Sequence, residues 1–263
     1  MIRYFDSHAH YYDDRFAQES AIGADGILCN LFASCVSGVV NVGTNPSACR
    51  QAIAQAKRYP GMFTALGVHP TDCQQIGCRM DEALADIESL IRDPASKCVC
   101  LGEIGLDYHY PDTDRAKQLA YFHAQMELAE SLGLPVSIHD RDAHSDTVEV
   151  LRAHPRVPAI LHSFSGSAEM ARALLPLDCY FSFSGVLTFT NGRRAKEAAL
   201  AVPPDRLLIE TDCPYLAPHP LRGSLNHSGN LRYTNATLAA LLGMSEEDCA
   251  ALTEANARRV FSL

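Results

Sequence analysis

Eight short apolar runs, separated by stretches of helical pattern, constrain this chain more than any other feature. They cover residues 2–6, 37–42, 62–69, 98–103, 135–139, 159–162, 179–184 and 206–212. Most are continuously apolar rather than alternating, as in parallel strands buried on both faces. The segments between them read as helices. In 81–91, Leu84, Ile87, Leu90 and Ile91 recur at amphipathic spacing. Further helices are expected over 113–132, 145–154, 167–175 and 246–261, with Gly133 ending the long one and Ser245 capping the last. Alternating strands and helices with no proline- or glycine-rich linker predict an α/β fold, a single (β/α)8 TIM barrel domain over 1–263. A doubly wound open sheet would carry a glycine-rich phosphate loop after its first strand. That position holds Ser7-His8-Ala9-His10 instead. Residues 214–233 read as one long irregular loop, a length that is usually functional or mobile.

Strand ends in a barrel converge on the face where barrel active sites lie. His8 and His10 follow the first run at the end of its strand and, two apart, leave the same face. Glu103, His139, His162 and Asp212 close runs four, five, six and eight. Any one of these histidines has a bland reading as a satisfied structural residue. Six ligand-type residues on five converging ends argue instead for a metal site. Six exceed the roughly three protein ligands of a catalytic zinc. They suit two divalent ions sharing a carboxylate. His8, His10 and Asp212 fall to one ion and His139 and His162 to the other, with Glu103 between. Such a centre makes hydroxide available near neutral pH. Asp212 and Glu103 are the candidate catalytic residues, Asp212 doubling as proton acceptor for the attacking water.

Six stretches, spanning nearly the whole chain in order, carry a family resemblance. They are DSHAH at 6–10, ALGVHP at 65–70, LGEIGLDY at 101–108, PVSIHDRDA at 135–143, LHSFSG at 161–166 and LLIETDCPYLAP at 207–218. The chain resembles TatD-type metal-dependent deoxyribonucleases of the amidohydrolase superfamily. The resemblance implies a two-metal hydrolase, supported by magnesium or manganese with zinc as an alternative, that cuts DNA phosphodiesters, often from the 3′ end. It also implies that His8, His10, Glu103, His139, His162 and Asp212 are the metal ligands. Two departures stand out. Ser163 replaces a common cysteine, and in RGSLNHS at 222–228 only Arg222, Gly223 and Asn226 keep the family pattern. Substrate grip from that loop is therefore expected to differ from the family norm.

Arg141, after the fifth run, could hold a phosphate through two hydrogen bonds, or form a helix-start ion pair. Arg222, His69 and Tyr108 are the other candidate substrate contacts, with Tyr108 and Tyr110 able to stack bases or simply to pack. Arg193, Arg194 and Lys196 form a basic cluster that reads first as solvated helix surface and second as a DNA contact. A net charge of -9 argues against coating nucleic acid by electrostatics alone. It leaves open an enzyme that grips phosphates through bound metal. Ten irregularly spaced cysteines without a CxxC pair suggest inert core thiols, with Cys213 the one to watch for metal sensitivity. With no room for a signal peptide and no membrane-spanning run, the expectation is a cytoplasmic monomer with DNA as substrate. A lactonase or cyclic amidase using the same metal centre is the alternative. A carbamylated lysine often bridges the metals in such enzymes, and Glu103 at that position favours the nuclease.

Overall fold

The computed structural model describes residues 2–263. Eight strands form one sheet in sequence order. They are β1 (Tyr4–Ala9), β2 (Val36–Gly43), β3 (Met62–Leu66), β4 (Cys98–Asp107), β5 (Val136–Arg141), β6 (Ala159–Leu161), β7 (Cys179–Phe183) and β8 (Leu207–Ile209). Helices alternate with them. In chain order α1 (Arg15–Glu19), α2 (Gly23–Ser34), α3 (Pro46–Ala56), α4 (Met80–Arg92) and α5 (Arg115–Leu132) come first. Then follow α6 (His144–Ala153), α7 (Ala168–Leu174), α8 (Arg193–Ala201), α9 (Leu231–Leu242) and α10 (Glu246–Val260). Strand pairings are parallel, and the chain after β8 returns to β1 through the Ala9–Cys213 bridge. This is the expected (β/α)8 barrel fold.

Several boundaries differ from the sequence expectation. β4 runs four residues past Glu103, because its ladder with β5 continues through Gly105–His139, Leu106–Asp140 and Asp107–Arg141. β8 is shorter than expected and stops at Ile209, three residues before Asp212. α9 begins at Leu231, inside the stretch 214–233 expected to be irregular. Its buried Leu231, Leu238 and Ala239 give that helix an apolar face to pack. The helix ends hold as expected. Gly133 ends α5 in the left-handed region at φ 65°, and the Ser245 side chain accepts from the Asp248 N–H at 3.1 Å.

Two compact units make up the chain. One holds the residues up to Asn41, Ser163–Ala173 and Phe181–Leu263. In it α10 packs on β1 and β8, Phe5 stacks with Phe261, and Phe164 meets Phe181 edge-on. The other holds Val42–His162 and Leu174–Tyr180. Its core gathers Cys49, Ile53, Leu66, Val68, Ile87 and Tyr121. Each fully buried aliphatic side chain there contributes roughly 1.5–3 kcal/mol.

Gly105 is the most tightly enclosed glycine of this second unit. Its φ is +131°, and a Cβ built there would run into the His139 carbonyl of β5. Gly105→Ala is therefore expected to destabilise the protein by about 2–4 kcal/mol, from backbone strain plus overpacking. Denaturant unfolding should show a lower midpoint at unchanged slope. An unchanged midpoint would mean that β4 relaxes away from β5 freely.

Candidate functional site

In the first unit, β1 and the turn after β8 are joined by backbone. The Asp212 N–H donates to the His8 carbonyl at 2.9 Å, and the His10 N–H to the Cys213 carbonyl at 2.7 Å. This pairing brings three side chains together. The Nε2 atoms of His8 and His10 lie 3.1 Å apart, and Asp212 Oδ1 is 3.8 Å from the first and 3.3 Å from the second. His8 and His10 are buried, while Asp212 stays partly open. Asp212 holds a positive φ of 55°, a conformation that Asp and Asn tolerate best among residues with a side chain.

The turn is pinned from beneath. Buried Asp6 accepts from the Thr211 N–H at 2.9 Å, the Thr211 hydroxyl at 2.6 Å and the Ser228 hydroxyl at 2.7 Å. Burial pushes the Asp6 carboxyl up to about 7, against the pull of those hydrogen bonds. Buried Asn226 donates to the carbonyls of Thr211 and Tyr215 at 3.0 and 2.7 Å. Part of the 222–228 stretch, read from sequence as substrate grip, is thus a clamp on the Asp212 turn.

In the second unit, strand register does the assembling. Gly105 pairs with His139, Ile138 with Leu161, and the His162 N–H donates to the Ile138 carbonyl at 3.1 Å. Three imidazoles reach Glu103 Oε1: His139 Nδ1 at 2.8 Å, His162 Nε2 at 2.8 Å and His69 Nε2 at 3.4 Å. Asp107 stands four residues beyond Glu103, on the same strand face. Its Oδ2 lies 3.1 Å from His139 Nε2, so two carboxylates flank one ring. Burial pushes Glu103 up. The charges of His162 and His69, with hydrogen bonds from His139 and His162, outweigh it and hold the carboxyl well below the usual range. Burial pulls His139 down, but its bonds to Asp107 and Glu103 raise it on balance.

Within single units, two sets of donors could each hold a metal ion, His8, His10 and Asp212 in the first and His69, Glu103 and His139 in the second, and His162 falls in a further group with Glu103. Within each set the ligand atoms lie within 4.8 Å of one another. Two imidazoles and a carboxylate fit a divalent ion of catalytic type, leaving positions for water.

Comparison with known proteins follows the same line. Residues 5–262 match the family described as TatD related DNase. The chain belongs to the TatD-related DNase family. It is 36% identical to the metal-dependent hydrolase YabD of Bacillus subtilis, over 98% of this chain and 99% of that protein. It is 34% identical to the metal-dependent hydrolase TatD of Mycobacterium tuberculosis, over 98% and 97%. The crystal structure of YJJV, a TatD homolog from Escherichia coli, shares the fold. It has a TM-score of 0.85 at 24% identity, covering 99% of this chain and 98% of that one. The chain is a metal-dependent hydrolase of the TatD family.

The remaining candidates on this TatD-family chain separate clearly. Arg141 ends β5, is exposed, and lies 5.8 Å from the Tyr110 ring. Tyr108 is taken up in packing: its hydroxyl donates to Asp146 at 2.7 Å and Arg115 covers its ring at 4.3 Å. Arg222 lies over Phe189 at 4.3 Å. His69, read from sequence as a substrate contact, reaches Glu103 through Nε2 and turns Nδ1 to the Thr71 hydroxyl at 2.7 Å. The strand-end rule could have placed it, since the expected third strand ends on His69. Asp107 was missed because β4 was expected to stop at Glu103. Cys213 is buried, and burial pushes its thiol well up, keeping it neutral. Cys29 and Cys78, expected in the core, are exposed. Among the described residues no helix is long and apolar enough to cross a membrane.

Proposed function

We propose that the chain hydrolyses DNA phosphodiester bonds, from 3′ ends or on single strands, with one divalent ion held in each of the two donor sets. The observation that supports this reading most is the repeated donor set, two imidazoles and a carboxylate, in a TatD-related DNase. Magnesium or manganese is the first choice, with zinc as the alternative. When bound, such ions neutralise phosphate charge and lower the pKa of water. His8, His10 and Asp212 would hold one ion, and His69, Glu103 and His139 the other, with His162 bonded to Glu103. Asp212, the partly open carboxylate, accepts the proton of the attacking water. The water oxygen bonds phosphorus, the phosphorus–oxygen ester bond breaks, and the departing oxygen takes up the proton that Asp212 had accepted. Asp6, Asn226 and Ser228 hold the Asp212 turn in place while this happens.

The test is hydrolysis by metal-reconstituted protein of single-stranded DNA, RNA and a lactone panel side by side. Faster turnover of DNA supports the reading. Preferred hydrolysis of a lactone with DNA untouched would assign the same residues to carbonyl chemistry.

Arg222→Ala is expected to raise KM for DNA more than Arg193→Ala. Arg193 is already paired with Glu197 at 2.7 Å, whereas Arg222 makes no ion pair among the described residues. Salt dependence should be shallow, on the order of two or three phosphate contacts, because the chain is acidic. Equal effects, or a steep slope, would move the DNA track to the basic cluster on α8.

A further inference from the structure

We propose that the cavity beside Asp212 is a subsite for one nucleotide of the substrate strand, with its base stacked on Tyr215 and its phosphate held by Arg222. The inference rests on the DNase reading and gives it a specific contact. The cavity measures about 280 Å³, and Arg15, Phe189, Tyr215, Leu216, Arg222 and Ser224 are among its lining residues. That volume suits one small ligand rather than a peptide or a folded partner. It adjoins the first donor set directly. The Tyr215 N–H donates to the Asp212 carbonyl at 2.9 Å, and the Tyr215 ring stands edge-on to His10 with centroids 6.4 Å apart.

Its chemistry selects a nucleotide. The Tyr215 side chain is tethered by its hydroxyl, which donates to Asp13 at 2.6 Å, yet the residue is 44% exposed. The Arg15 guanidinium lies 5.7 Å from the ring centroid, and the residue's remaining exposed surface makes a ring held still a stacking platform with little ordering left to lose on binding. Arg15 spends its charge on Glu19 at 2.6 Å and donates to the Pro214 carbonyl at 3.3 Å, which fits it to hold the turn rather than a phosphate. Arg222 is different. Its guanidinium lies 4.3 Å from the Phe189 ring, is exposed, and makes no hydrogen bond or ion pair among the described residues. A guanidinium supported on one face can present its N–H edge to a phosphate. An apolar ligand would leave that cation unused, and a simple anion would leave the Tyr215 ring unused. A base joined to a phosphate uses both. Stacking tolerates any base, so the subsite should not discriminate sequence.

The experiment compares an oligodeoxynucleotide with the same strand carrying an abasic residue at the cleaved end. Wild type should favour the intact strand in kcat/KM by about 10-fold or more, the scale of one base stacked on an aromatic ring. Tyr215→Ala should bring the ratio near one. Tyr215→Phe, which keeps the ring and loses the Asp13 bond, should preserve it. An independent readout is calorimetric binding to metal-free protein of a deoxynucleoside monophosphate against deoxyribose phosphate. Wild type should favour the nucleotide, Tyr215→Ala should bind the two alike, and Arg222→Ala should weaken both. Cleavage with no base preference in wild type, or a preference that survives in Tyr215→Ala, overturns the subsite. If neither strand is cleaved, the DNase reading fails, and the calorimetric preference alone decides whether the cavity takes a nucleotide.

Discussion

Asp212→Asn is expected to lower turnover on DNA by about 10²–10⁴-fold, the usual worth of a general base, while metal content falls only modestly. Asparagine suits the backbone, since it tolerates the positive φ of 55° at this position. The Asp212 N–H can still donate to the His8 carbonyl, and the amide oxygen can still face His10 where Oδ1 now lies at 3.3 Å. What disappears is the negative charge and the capacity to take a proton. Elemental analysis beside turnover separates the two roles. A variant that loses its metal completely would show Asp212 to be chiefly a ligand.

Glu103→Gln should fail in the opposite way. Three imidazoles converge on one Glu103 oxygen, and the donor set that includes His69 and His139 has Glu103 as its only carboxylate. Removing that charge is expected to weaken metal binding by about 10-fold or more, since even the hydrogen-bond partners of metal ligands are worth this much. Rate should fall with occupancy, and added manganese should restore part of it. Manganese rescue of Asp212→Asn in full and of Glu103→Gln not at all would reverse the two assignments.

Much of the fold could be read because each buried strand is an uninterrupted apolar run, and β2, β3, β5 and β7 fall close to their expected positions. Boundaries failed where a polar residue was taken to end a strand. Glu103 is polar, yet backbone pairing to β5 carries β4 on to Asp107, so a second carboxylate beside His139 went unseen. Asp6 escaped for another reason. Its role depends on Thr211 and Ser228, more than two hundred residues away in sequence, and no local pattern reports such a contact. The same holds for Asn226, whose hydrogen bonds turn a stretch that looked like substrate grip into a clamp. His69 was visible by position, at the end of the expected third strand, whereas β3 itself stops at Leu66 and His69 stands three residues beyond it, its ring turned to Glu103.

The account stands or falls on metal equivalents. Chelated protein should keep its circular dichroism, because strand pairing and the apolar cores are built without the donor side chains, and should not cleave single-stranded DNA. Manganese titrated back, with bound metal and cleavage followed together, should restore activity as two ions bind per chain. Removing His8 and His10 should abolish one of those ions and leave the other. Cleavage that survives chelation, saturation at a single ion, or two bound ions without any hydrolysis of DNA would contradict it.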